Sequence, residues 1–242
     1  MNRNKGFTLI EIMISLVLGI IVIGGALSIY ISTIKSSTDT IKSSRLNYDM
    51  DSVLLLMIND IKRAGYWGGS VIGSDSRANP FSIGVADIQI PVSTCILYTY
   101  DSNNDGTVNN GEFFGFKLAN NEINISSADT VDATGNCSVT DGRWQTITDS
   151  DKVEFTGLQF SFLPIGTLLG TTRCLNTTDD TNYPDTCVQA EDDGNLTIDT
   201  GDQVAEKRVI NIVLTGRVED DDTVTKLLSG TIQVRNDKVF TQ

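Results

Sequence analysis

KGFTLIEIMISLVLGIIVIGGALSIYI, residues Lys5–Ile31, is uncharged apart from its first residue and one carboxylate, Glu11, and mostly apolar. From Ile12 to Ile31 no charge occurs, and the next one is Lys35. About 20 such residues form a helix roughly 30 Å long, the thickness of a bilayer core. A charge inside a membrane span costs roughly 2.5–3.5 kcal/mol, so Glu11 calls for a partner. The preceding residues, MNRNKG, are short and basic. Arg3 and Lys5 place residues 1–6 in the cytoplasm and the rest of the chain across the membrane. The Ala-x-Ala-like site that ends a secretory signal peptide does not follow the apolar stretch.

The string Lys5-Gly6-Phe7-Thr8-Leu9-Ile10-Glu11 resembles the class III leader of type IV pilins and type II secretion pseudopilins. The resemblance implies cleavage by a prepilin peptidase after Gly6 and N-methylation of the new terminus, Phe7. It also implies an assembly role for Glu11, whose partner would be the Phe7 amine of a neighbouring subunit. Such a counter-ion relieves a carboxylate held in a low-dielectric bundle.

No proline occurs before Pro80, so the helix is expected to continue to Ala64. Leu46, Met50, Val53, Leu54, Met57, Ile58 and Ile61 recur at gaps of three and four, which marks one buried face. A thinner seam, Leu27, Ile34, Ile41, Tyr48 and Leu55, recurs every seven residues. Polar residues at most complementary positions favour a helix packed on neighbours and then on its own domain over a coiled coil. Gly65 is the expected stop, with Tyr66 and Trp67 as core aromatics at a helix–sheet junction. The stretch NDIKRAGYWGG, Asn59–Gly69, also resembles the Arg-x-Ala-Gly-Tyr segment that closes the helix in PilW-type minor pilins.

From residue 70 short runs of Val, Ile, Thr and aromatics alternate with Asn, Asp, Gly and Ser clusters, the texture of an antiparallel β domain. Strands are expected at Thr94–Tyr100, Glu112–Leu118, Arg143–Thr148, Val153–Leu163, Arg208–Val218 and Leu227–Arg235, the last two as a hairpin around the acidic turn Glu219–Asp222. Asn176–Asp185 and Glu191–Asp202 read as surface loops. The expected class is α+β, a type IV pilin fold with a long N-terminal helix packed on an antiparallel sheet. The expected divisions are a leader (1–6), a long helix (7–66, with 7–31 in the membrane) and an exported β-rich domain (67–242).

The four cysteines, Cys95, Cys137, Cys174 and Cys187, all fall in the exported part, in an oxidising compartment. Three connectivities are open. Cys174–Cys187, closing the loop around Pro184, is favoured and leaves Cys95–Cys137, each stabilising by about 2–4 kcal/mol. No Cys-x-x-Cys and no histidine occur, which argues against zinc.

DSNNDGTVNNGE, Asp101–Glu112, fits the calcium-loop pattern D-x-[DN]-x-[DN]-G-x5-E at every defined position. Asp101, Asn103 and Asp105 would supply side-chain oxygens, Thr107 its carbonyl, Asn109 a water-mediated contact, and Glu112 a bidentate carboxylate. Because ILYTY precedes it and FFGFKL follows, the loop is expected between two strands. Its affinity for Ca2+ should be weak, about 10⁻⁴–10⁻³ M, as in extracellular modules. An ordinary Asn/Asp/Gly hairpin turn is the competing reading.

The chain has 31 Asp and Glu against 18 Lys and Arg, a net charge of −13, so no nucleic acid is expected as partner. The absence of histidine excludes Ser-His-Asp and Cys-His catalysis, and no carboxylate pair sits in a recognisable catalytic context, so no enzyme is expected. The resemblance implies a minor pilin that helps initiate a type IV pilus and sits at or near its tip. A minor pseudopilin of a type II secretion system and a calcium-dependent tip adhesin using loops at 170–202 are the alternatives. Its expected partners are other minor pilins, the major pilin, the prepilin peptidase and the inner-membrane assembly platform. The expected location is the inner membrane, single-pass with the domain periplasmic, and then the pilus surface.

Overall fold

A 53-residue helix, α1 (Leu9–Ile61), opens the chain. The computed structural model describes residues 6–68, 79–126, 137, 144–162, 173–176, 201–219 and 221–241. By internal contacts the chain divides into two units, Met1–Arg45 and Leu46–Gln242.

In the first unit α1 buries nothing: Leu9, Ile20, Ile29 and their apolar neighbours are all exposed. A helix apolar on every side suits a membrane span, and this one is long and apolar enough to cross a bilayer. Some of its hydroxyls bond to the helix's own carbonyls, as suits a lipid environment. Ser15 Oγ donates to Glu11 O (2.7 Å) and Thr33 Oγ1 to Ile29 O (2.9 Å).

In the second unit α1 buries Leu46, Met50, Val53, Leu54, Met57 and Ile61, the face that the three-four spacing predicts. This face shares one core with Ile96, Tyr98, Phe116 and Ile123, and with Phe155, Leu158, Phe160, Ile210, Ile212 and Leu214. The helix lies close enough to need glycine beneath it. A Cβ on Gly216 would meet Met50 Sδ at 3.0 Å, and one on Gly230 would meet Ile58 Cδ1 at 2.9 Å.

The strands are β1 (Gln89–Val92), β2 (Cys95–Thr99), β3 (Phe113–Ala119), β4 (Glu122–Ser126), β5 (Trp144–Thr146), β6 (Val153–Phe162), β7 (Arg173–Asn176), β8 (Gln203–Lys207), β9 (Val209–Val218), β10 (Asp221–Gln233) and β11 (Lys238–Thr241). Among the described residues they pair antiparallel in three sheets: β1-β2-β3-β4-β5, β10-β9-β6 and β11-β8-β7. The fold is therefore α+β as expected. All six expected strands are present. The strand expected from Leu227 starts six residues earlier, at Asp221, with a register shift before Thr225. Five further strands, β1, β4, β7, β8 and β11, are too short or too polar to show in composition. Glu112, expected to open a strand, ends a 3-10 turn (Asn110–Glu112), and β3 begins at Phe113. The loops expected at 176–185 and 191–202 lie almost wholly outside the described residues, as does Cys187.

The helix end is fastened by residues far along the chain. After Ile61 the turns tighten, and Gly65 takes φ = +72°, the left-handed conformation expected there. Asn236 Nδ2 donates to the carbonyls of Arg63 (3.3 Å) and Ala64 (3.1 Å). Asn79 Nδ2 donates to that of Gly65 (2.9 Å) and Arg235 N to that of Lys62 (3.2 Å). These bonds satisfy carbonyls that a helix C-terminus leaves open. Beside them, buried Arg208 pairs with Asp87, which also receives Lys238 Nζ at 2.8 Å.

Candidate functional site

The 101–112 loop is the connection of the β2–β3 hairpin, whose last pair is Thr99 opposite Phe113. Next to that pair, the rings of Tyr100 and Phe114 stack at 4.0 Å and hold the two strand ends together. The loop needs two unusual backbone conformations, at Asn104 (φ 62°) and Gly106 (φ 78°), and both residue types tolerate them.

Asp101 and Glu112 are both buried, at 1 % and 2 % exposure, while Asp105 is exposed. One carboxylate oxygen from each lies within 4.8 Å of the others. Backbone N–H groups aim the carboxylates. Asp101 accepts from Asp105 N (3.2 Å) and Gly106 N (2.9 Å). Glu112 accepts from Ser102 N (2.9 Å) through one oxygen and from Asn109 N (2.9 Å) through the other. The amides of Asn103 and Asn109 each donate to Asp105 Oδ2 at 2.9 Å, and Asn109 also donates to Thr107 O at 3.1 Å. All six residues of the expected ligand set are thus gathered in one loop. Hydrogen bonds from the Thr107 hydroxyl, the Thr107 amide and Asn103 hold the Asp105 carboxyl down at about 2, despite some opposing desolvation. Three convergent carboxylates repel one another, and an oxygen-only donor set of this kind suits a hard divalent cation.

Sequence reading missed what covers this loop. Tyr66 and Trp67 are not core residues. Tyr66 is 43 % exposed, and the segment lies against the loop as a strap. Tyr66 Oη donates to Asn104 Oδ1 (3.2 Å), Trp67 Nε1 to Gly106 O (3.0 Å), and Gly68 N to Asp101 Oδ2 (3.0 Å). Asp101 N returns a bond to Tyr66 O at 2.9 Å. The two segments lie more than 30 residues apart, so no local pattern announces the pairing. Sequence reading also missed the Asp60 carboxylate, which receives Tyr98 Oη at 2.6 Å and Tyr100 Oη at 3.2 Å.

Of the cysteines, Cys95 and Cys137 are bonded, with Cα atoms 6.4 Å apart. This is one half of the favoured pairing, and the Cys174–Cys187 half falls on Cys187, outside the described residues.

At the other end of the chain, Gly6 and Phe7 precede the helix, and Phe7 is 85 % exposed. Among the described residues, Thr8 is the partner that donates to Glu11 within the chain. Thr8 N and Oγ1 both donate to Glu11 Oε2 at 2.8 Å, and Glu11 N approaches Thr8 Oγ1 at 3.4 Å. Thr8 and Glu11 therefore form a reciprocal N-terminal cap.

Residues 39–234 match the family model of prepilin peptidase-dependent protein B. The chain belongs to that family. Residues 1–27 match the prokaryotic N-terminal methylation motif. No curated protein and no solved structure matches the chain. As a prepilin peptidase-dependent protein, the chain is a class III, type IV pilin-like or pseudopilin subunit. It is processed by the prepilin peptidase, anchored by its N-terminal apolar helix and destined for pilus-related assembly.

Proposed function

We propose that this chain is a minor pilin that helps initiate a type IV pilus and stays at or near its tip. It acts as a structural subunit and not as an enzyme, in keeping with a chain that has no histidine. The supporting observation is Glu11. It is the one charge on the exposed, otherwise uncharged helix up to Lys35, and among the described residues only Thr8 donates to its carboxylate. Such a carboxylate is ready for the amine of a mature Phe7 on a neighbouring subunit in the inner membrane. The neighbours would be other minor pilins first and the major pilin next, docked at the inner-membrane assembly platform with the domain in the periplasm. No nucleic acid is involved, in keeping with the net charge of −13.

The exported domain carries a calcium site at Asp101, Asn103, Asp105, Thr107, Asn109 and Glu112, where calcium would neutralise the converging carboxylates. A bonded helix end, a disulfide and a cation loop suit a subunit present in few copies that nucleates a filament. Deleting the gene should sharply reduce surface pili while major pilin accumulates in the inner membrane. Proteomics of sheared pili should find the protein in trace amounts. Recovery as the bulk filament subunit would overturn the reading. Unchanged piliation with lost protein secretion would make the chain a minor pseudopilin.

A further inference from the structure

Beneath the 101–112 loop sits a small apolar cluster separate from the main core. Cys95, Leu97 and Phe113 are buried in it, and Val108, Cys137 and Trp144 pack against them. Val108 directly follows Thr107 in the loop and anchors its second half to β2 and β3. Cys137 is held on the same cluster by two contacts. It is bonded to Cys95. Lys117, directly across from Cys95 on β3, donates Nζ to Cys137 O at 3.2 Å. The same Nζ stands over the Trp144 ring at 4.4 Å.

We propose that the Cys95–Cys137 disulfide is a positioning element of the cation loop, acting through Val108 to set its affinity for calcium. The proposal rests on the calcium reading above. Bringing three carboxylates within 4.8 Å works against their mutual repulsion. A loop already fastened at Val108 meets part of that ordering cost before the cation arrives, and preorganisation of this kind raises affinity. Without the bridge, Cys95 loses its partner, the small cluster that Val108 packs against loosens, and the cost falls on binding. The coupling is reciprocal, so calcium favours the bonded cysteines over the free thiols by the same factor.

The test uses the full chain in detergent micelles. Calcium chloride is titrated with tryptophan fluorescence as the signal, and bound calcium is counted by equilibrium dialysis. Cys95→Ser with Cys137→Ser should raise the dissociation constant about fivefold or more, the lower range of measured couplings between sites. Val108→Ala, which keeps the bridge and every oxygen donor, should raise it in the same direction. Adding Val108→Ala to the double serine variant should then produce little further loss. If the serine variant does not fold, Val108→Ala decides. Wild-type binding with the same constant in these variants would overturn the positioning role while leaving the calcium site intact. Additive losses would overturn the route through Val108. A wild-type chain that binds no calcium would overturn both readings.

Discussion

The amide of Gly68 donates to Asp101 Oδ2 at 3.0 Å, which bonds the chain leaving α1 to the first carboxylate of the 101–112 loop. Gly106 N shares that oxygen at 2.9 Å, and Asp105 N reaches the other at 3.2 Å. One buried side chain therefore serves three donors, with or without a cation. Asp101→Ala should destabilise the domain by about 2–3 kcal/mol in chelator, since it strands donors that had a charged acceptor. Asp101→Asn should cost less. Denaturant unfolding in chelator measures both, and an Asp101→Ala chain as stable as wild type would show that Asp101 serves calcium alone.

Calcium should raise the melting temperature. At ten times the dissociation constant, mass action adds about 1.4 kcal/mol, or about 3–5 °C for a chain of this size. Asp101→Ala combined with Glu112→Ala should remove the increment. A wild-type melt indifferent to calcium and chelator would return the loop to an ordinary hairpin turn.

Processing should occur at the Gly6–Phe7 bond. Mass spectrometry of the membrane form should find a methylated Phe7 as first residue, and Gly6→Val should leave the precursor uncut. An intact Met1 in cells with active prepilin peptidase would refute the assignment of this site.

Thr8 and Glu11 separate two roles of one carboxylate. Thr8→Ala removes the donors' side-chain half and the N-cap, a loss of about 1 kcal/mol at the helix start, and should leave assembly largely intact. Glu11→Leu should still be inserted and cleaved, because it removes a charge from lipid, yet should vanish from sheared pili. Equal recovery of the two variants would show that Glu11 serves only as the helix cap.

Burial, reinforced by the Asp60 charge, pushes the Tyr98 hydroxyl well above its usual range and Tyr100 in the same direction. Raised acids of this type favour the folded state below the unfolded tyrosine value of about 10, and that contribution is lost as pH rises toward the folded values. Phenolate absorbance should therefore lag for two of the tyrosines until the domain unfolds. Asp60→Ala, which leaves Tyr98 Oη without its 2.6 Å partner, should lower overall stability at neutral pH. Six tyrosines ionising together in a folded chain would contradict this.

The sequence by itself determined the features written in neighbouring residues. The uncharged run from Ile12 to Ile31, the Gly6–Phe7 junction, the Leu46–Ile61 face and the alternation of β9 are periodic or contiguous. The loop pattern from Asp101 to Glu112 is local too, so its six candidate ligands could be named without coordinates. Tertiary structure decided what depends on residues far apart in the chain. It paired Cys95 with Cys137 across 42 positions, divided the strands among three sheets and brought Asp60 under Tyr98 and Tyr100. It also turned Tyr66 and Trp67 from expected core residues into a strap over the loop. Two aromatics after a helix stop carry the same local signal in either place. Asn104 and Gly106, which accept their hydrogen bonds, are brought within reach only when the β2–β3 hairpin folds against the end of α1.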